Sequence, residues 1–226
     1  FFKGCFGGRR FLKQFWRKGL FDEMDKRYFS LINRAPNLSK FVNWDILEGY
    51  SSRKKFNEIF YGENVKKESY FDLMTHFDFK TLLPGLLQVE DRMSMAHGLE
   101  SRVPLLDVKL VELAAKMPSN IKFKNGELKY IFKKAIKEYI PKSIYNRKDK
   151  MGFPTPINTW FENQAKELLY DTLGSERSKK RGYIDNISLL KNISKENDFG
   201  RNIWGAFSLE LWFQIFIDNS KKYKNE

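Results

Sequence analysis

Residues 82–107, LLPGLLQVEDRMSMAHGLESRVPLLD, constrain the fold of this chain more than any other stretch. Leu82, Leu86, Val89, Met93 and Ala96 recur at helical spacing, and Glu90, Asp91 and Arg92 set three adjacent charges into that run. The pattern predicts a buried helix that carries ionised groups. Gly98 supplies a helix stop and Pro104 a rigid break. Asp107 can then cap a second helix over 108–117, with Leu110, Leu113, Ala114 and Met117 on one side. A buried charge is costly unless paired, so Asp91, Arg92, Glu100 and Arg102 are expected to form an ion-pair network that fixes how the two helices dock.

Helical patterns dominate the rest. Residues 11–32 are amphipathic, with Phe11, Phe15, Leu20, Met24, Tyr28 and Ile32 inward and Gly19 as a break. Short helical pieces surround Gly49, and residues 70–80 lead into the organising helix with Phe71, Met74, Phe77 and Leu82 as the expected buried set. Residues 121–124 read as a loop or short extended piece. Asn125 can cap a helix over 127–139, whose Leu128, Ile131, Phe132, Ala135, Ile136 and Tyr139 trace an apolar stripe that Pro141 ends. Further helices are expected over 159–173 and 202–218, separated by a basic surface loop at 174–182.

Composition removes several classes of function. Hydrophobic residues make up 42% of the 226, including 21 Phe, which excludes a disordered tail and predicts a packed, Phe-rich unit. The net charge of +13 favours anionic partners, but the basic residues are spread along the chain and no nucleic-acid module pattern is present. The single Cys5 rules out an internal disulfide framework and fits a reducing compartment. With only His76 and His97 beside it, no zinc site is expected. The apolar run 203–217 contains Glu210 and Gln214 and falls short of the roughly 20 residues that span a bilayer. The chain opens with Phe1 rather than Met, so it is expected to be a piece of something longer.

Two places carry cations where an anion could dock. In the expected 127–139 helix Lys129 lies in the first turn, where a cation opposes the macrodipole. An anionic ligand held by the free N–H groups and the ammonium would resolve that conflict, and so would a lysine reaching into water. Arg147, Lys148 and Lys150 then precede MGFPTP, whose Gly152, Pro154 and Pro156 prescribe a loop conformation. That loop could close over phosphates or be a solvated charge run beside a turn.

Four blocks carry a resemblance to a known family: THFDFKTLLPGLLQVEDRMSMAHGLESRVPLLD (75–107), NGELKYIFKKA (125–135), RKDKMGFPTP (147–156) and NIWGAFSLELWF (202–213). In order, spacing and residue choice they resemble the glutamine-dependent asparagine synthetases. That resemblance implies a mainly α chain, the helical C-terminal portion of an α/β adenine-nucleotide α-hydrolase-like synthetase domain occupying 1–226, with the nucleotide-binding sheet, the SGGxDS pyrophosphate loop and the N-terminal glutaminase domain outside it. Cys5 does not match the family's N-terminal nucleophile.

The implied reaction is adenylation of the aspartate side-chain carboxylate by Mg2+ and ATP, followed by attack of ammonia released from glutamine, with AMP and pyrophosphate leaving. No metal ligand is expected within these residues. The resemblance matches Lys129 in GELK to the family's catalytic lysine, with Arg147, Lys148 and Lys150 as further phosphate or loop-closing residues. Asp91, Arg92, Glu100 and Arg102 would form the scaffold near nucleotide and substrate, the arginines with direct contact open to them. It further implies a cytoplasmic protein without a membrane segment, working with the glutaminase domain of the same polypeptide, and leaves a homodimer open. The competing readings are a related ATP-dependent amidotransferase acting on another carboxylate, a basic nucleic-acid-binding helical module, and an inactive relative of the enzyme.

Overall fold

Helices account for most of the described residues, which in this computed structural model are 21–147, 155–193 and 201–219. The chain divides into two units, Phe1–Ile32 with Ser51–Asp149 and Asn33–Tyr50 with Lys150–Glu226. Phe11, Phe15, Gly19 and Leu20 lie outside the described residues, and the first described helix is Met24–Ile32.

In the first unit, helices Met24–Ile32, Ser52–Phe60 and Tyr70–Lys80 meet around Tyr28, Phe56, Phe60 and Leu73. Two of the helix starts are written in the sequence: the Ser51 hydroxyl accepts from the Lys54 N–H at 3.2 Å and the Ser69 hydroxyl from the Asp72 N–H at 3.2 Å. The core is aromatic, with Phe56 and Phe60 stacked at 4.9 Å between centroids and Tyr28 edge-on to Phe77 at 5.9 Å. Two of its polar groups, Tyr28 and Asp25, are satisfied, while the buried Asn57 Oδ1 accepts no hydrogen bond among the described residues. The Tyr28 hydroxyl donates to Asp78 at 2.5 Å, and burial followed by this bond pushes the phenol well above its ordinary pKa. Asp25 pairs with Arg53, whose guanidinium also lies over Phe29 at 5.0 Å. In the Tyr70–Lys80 helix Leu73 is the buried residue, while Phe71, Met74 and Phe77 are partly covered.

The organising helix forms as Leu82–Met95, with Pro84 in its first turn, where the missing N–H is tolerated. Gly98 ends it at φ +67°: the Leu99 N–H reaches the Ser94 carbonyl at 3.0 Å and the Gly98 N–H the Met95 carbonyl at 3.0 Å, the two bonds of a Schellman motif. Asp107 caps the Val108–Lys116 helix as expected, accepting from the Leu110 N–H at 3.1 Å. The burial expectation fails. Neither helix has a buried residue, and Leu82, Leu86, Val89 and Met93 are 55%, 59%, 63% and 60% exposed. Periodicity writes a face into the chain without saying what covers it, and no described element closes over this one.

The helix expected over 127–139 is corrected as well. Phe123–Lys124 and Glu127–Leu128 pair as an antiparallel hairpin, the only sheet among the described residues. Its turn is Asn125–Gly126 with φ +53° and +78°, the two positive values a type I′ turn needs, so Asn125 is a turn residue and not a cap. The helix is thereby shortened to Tyr130–Ile136, and Pro141 precedes a further short helix, Lys142–Tyr145.

The second unit packs helices Ile157–Glu162, Lys166–Leu173, Asn186–Lys191 and Asn202–Trp212 around Phe161, Leu169, Leu173, Leu189, Ile203 and Phe207. The single helix expected over 159–173 is interrupted at Asn163, with φ −124° and ψ −97°. The stretch 174–182 is structured and not a loose loop: Ser175 caps a Glu176–Lys180 helix, accepting from the Ser178 N–H at 3.1 Å. Arg181 then grips Glu210 at 2.6 Å and Asp218 at 2.6 Å and lies over the Phe213 ring at 4.6 Å. Burial raises the Glu210 carboxyl, and the Arg181 and Gln214 hydrogen bonds more than offset it, leaving the group below the usual carboxylate range. Asp218 is lowered mainly by its bond to Arg181.

Candidate functional site

Asp91, Arg92, Glu100, Arg102, Lys129 and Arg147 occupy the first unit, in the stretch that follows its aromatic core. Asp91 and Arg92 project from the Leu82–Met95 helix into solvent and form no ion pair among the described residues. The expected four-residue network is therefore corrected to one local pair. Glu100 and Arg102 meet at 2.9 Å with both side chains largely exposed, and Ser101 bonds Glu90 at 3.2 Å. An exposed pair of this kind is worth at most about 1 kcal/mol, so it holds the connector's shape and does not pin two helices together.

Lys129 sits between the hairpin and the Tyr130–Ile136 helix, in the left-handed region at φ 58° and ψ 30°. It is outside the helix, whose seven residues give no N-terminal anion site, so the macrodipole argument made for it from spacing falls away. Its own backbone is unusual instead. A non-glycine residue in this region costs roughly 1–2 kcal/mol, which the surrounding hairpin must offset. Among the described residues Lys129 makes no ion pair.

Its neighbours are engaged. Lys133 pairs with Glu127 and lies over the Tyr145 ring at 5.2 Å. Lys124 and Lys134 flank the Tyr130 ring at 5.6 and 4.9 Å, and the Lys134 hydrogen bond lowers the Tyr130 phenol below its ordinary range while raising Lys134. The hairpin thus folds a cation-rich surface in which several ammonium groups already have partners and Lys129 keeps its charge free. Such a surface can receive an anion by electrostatics alone. Arg147 follows the Lys142–Tyr145 helix, its N–H bonded to the Ile144 carbonyl at 3.2 Å, while Lys148 and Lys150 lie outside the described residues. Among the described residues no group of three His, Cys, Asp or Glu side chains could hold a metal ion, and no helix is long and apolar enough to cross a membrane.

One feature was not read from the sequence. A cleft of about 860 Å³ opens in the same unit, walled by Tyr70–Lys80 on one side and by 105–118 on the other. Its signal is present in the helical spacing of Asp72, Thr75, His76 and Phe79, a mostly polar face that leaves no apolar stripe in the sequence. His76 lines this cleft, with no catalytic partner beside it among the described residues.

Fold and surface together define a mainly helical protein with a cation-rich, exposed face suited to anionic ligands. Comparison with known proteins assigns the lineage: the family profile for asparagine synthase matches residues 4–214, and the chain belongs to that family. It is 31% identical over 202 residues to the glutamine-hydrolyzing asparagine synthetase 1 of Bacillus subtilis (strain 168), covering 86% of this chain and 31% of that protein. It is 39% identical over 122 residues to the glutamine-hydrolyzing asparagine synthetase 3 of the same organism, covering 54% of this chain and 20% of that protein. A more distant likeness, 23% over 148 residues, is to the amidase chry2 of Gibberella zeae, covering 62% of this chain and 21% of that protein. The chain spans about a third of the length of the first of these relatives. No solved structure gives a significant match.

Proposed function

We propose that this chain is the helical C-terminal part of the synthetase domain of a cytoplasmic, glutamine-dependent asparagine synthetase, a domain of the adenine-nucleotide α-hydrolase type. The reaction in this reading is ATP-dependent amidation of the aspartate side-chain carboxylate, with ammonia from glutamine supplied by a glutaminase domain of the same polypeptide and AMP and pyrophosphate released. The observation that carries it is the family match over residues 4–214. The unpartnered apolar stripe of the Leu82–Met95 helix supports it: each such side chain, more than half exposed, forgoes a large part of the about 1.5–3 kcal/mol that full burial gives, which the remaining two thirds of a synthetase would recover by packing there.

The residues present suit the phosphates of ATP in charge, and ATP supplies the adenylyl group that activates the carboxylate. Lys129 sets its ammonium against the phosphates and the developing negative charge of the leaving group. Arg147, Lys148 and Lys150 supply further cations from RKDKMGF. Arg92 and Arg102 face solvent, free to meet a substrate carboxylate, with Glu100 holding Arg102 in place and Asp91 set one residue before Arg92. In this reading Mg2+ is held mainly by parts of the synthetase that this chain does not span.

The test uses the longest polypeptide that contains these residues, comparing wild type, Lys129→Ala and Lys150→Ala for aspartate- and ammonia-dependent pyrophosphate release from Mg-ATP, with circular dichroism to check folding. Loss of about 100-fold or more in folded Lys129→Ala is the expected result, in line with removal of one electrostatic contact to developing charge. Full activity in that variant removes Lys129 from the mechanism, and loss confined to Lys150→Ala moves the role to the RKDKMGF loop. A second reading, amidation of a different carboxylate, is favoured by the likeness to the amidase chry2 and would show as pyrophosphate release with another acid but not with aspartate.

A further inference from the structure

The cleft between the Tyr70–Lys80 and Val108–Lys116 helices has the form of a seat for a third helix. One wall presents Asp72, Thr75, His76 and Phe79, spaced i, i+3, i+4, i+7, and the other presents Leu110, Val111, Ala114 and Ala115 of the Val108–Lys116 helix, spaced i, i+1, i+4, i+5. Two walls with helical period leave between them a groove whose natural complement is a rod of the same period. Ala114 and Ala115 allow close approach, at the interaxial distance of about 8–10 Å typical of packed helices.

Charge narrows the occupant further. Lys66, Lys80, Lys116 and Lys122 edge the cleft against a single lining carboxylate, Asp72, and that carboxylate is already paired with Lys122 at 3.1 Å. Lys116 has only a loose, exposed partner in Glu112 at 4.0 Å. The lining therefore keeps an excess of positive charge around an apolar floor, a pattern that rejects a basic visitor and favours one with acidic edges.

We infer that this cleft receives an amphipathic helix with acidic flanks, supplied by the part of the synthetase polypeptide outside these 226 residues. The source rests on the function proposed above and on the asparagine synthetase 1 of Bacillus subtilis being about three times as long as the matched region. The chemistry of the helix does not depend on that reading. Docking of the helix covers Phe79 and Leu105, both exposed in this chain, and links the Tyr70–Lys80 helix to the element that carries Asp107 and its cap.

Two experiments test chemistry and source separately. Fluorescein-labelled designed helical peptides, with leucines at i, i+3, i+4 and i+7 and flanks of either glutamate or lysine, are titrated with the 226-residue chain by anisotropy. The acidic peptide is expected to bind about tenfold more tightly than the basic one, with the preference shrinking at high salt. The double variant Lys80→Glu, Lys116→Glu should reverse the order. Equal binding of both peptides, or binding of neither, overturns the helix assignment. Then benzoylphenylalanine in place of Ala114, in the longest polypeptide containing this chain, should photocrosslink to an acidic-flanked segment outside these residues. A crosslink to a second copy, to a separate protein or only within these residues overturns the source. Absent pyrophosphate release with that crosslink intact would count against the ligase reading alone.

Discussion

The closing core of the second unit and the organising helix of the first are written in the same code and end in opposite states. Both are apolar stripes at helical spacing interrupted by charge. In Asn202–Trp212 the stripe is closed over by Phe161, Leu169 and Leu189, and its one charge, Glu210, is 3% exposed because Arg181 meets it. In Leu82–Met95 the stripe faces water, and Glu90, Asp91 and Arg92 stay solvated, with no arginine or carboxylate of another element brought to them among the described residues. Spacing declares that a helix has an inside. Whether that inside is filled depends on residues elsewhere, and a charge is paired only where burial makes an unpaired one too costly.

Breaking the filled side should cost most. Arg181→Ala leaves Glu210 buried and uncompensated, and denaturant unfolding should show a loss of about 3–5 kcal/mol for the second unit. The same pair sets its response to acid. The Glu210 carboxyl lies below its ordinary range, so its contribution is complete above the unfolded value of about 4.3 and is lost as pH falls through the lower folded value. Unfolding followed against pH should show this fall in the wild type and a shallower one in Arg181→Ala. Leu169→Ala, at a fully buried position of the same core, should cost about 2–5 kcal/mol in the same measurement.

On the open side the effects shrink. Gly98→Ala forces a side chain into the left-handed turn that ends the organising helix and should lower first-unit stability by about 1 kcal/mol in thermal melts. Val89→Ser touches a side chain already in water and should change the stability of this chain by less than about 0.5 kcal/mol. A loss of several kcal/mol from Val89→Ser would mean that the stripe is covered within the chain, and the contrast between the two regions would disappear.

How much of this was readable in the sequence follows the same division. Caps and stops were legible because their cause is local: Asp107 bonds an amide three residues on, and Gly98 adopts a backbone that other residues resist. The hairpin at Asn125–Gly126 was missed although its turn signal was present, since the apolar residues 128–136 also fit a helix and short strands carry little period of their own. That miss displaced Lys129 from a helix turn to a left-handed linker and removed one physical argument for its role, while the one from family resemblance stands apart from geometry. Nothing in GSERSKKRG announces that Glu210 and Asp218, 29 and 37 residues later, fold back onto Arg181, so the stretch has the look of a solvated basic loop. The exposure of Asp91 and Arg92 was illegible for the converse reason: their apolar companions predicted a cover that the described residues do not provide.

Amide hydrogen exchange tests the central contrast most directly, measured on this chain and on the longest polypeptide that contains it. In the chain alone, 82–95 and 108–116 should exchange early and 166–173 and 202–212 late, and in the longer polypeptide the first pair should become protected while the second pair is unchanged. Equal protection of all four segments in the chain alone, or no gain at 82–95 in the longer polypeptide, would contradict an open face that the rest of a synthetase closes.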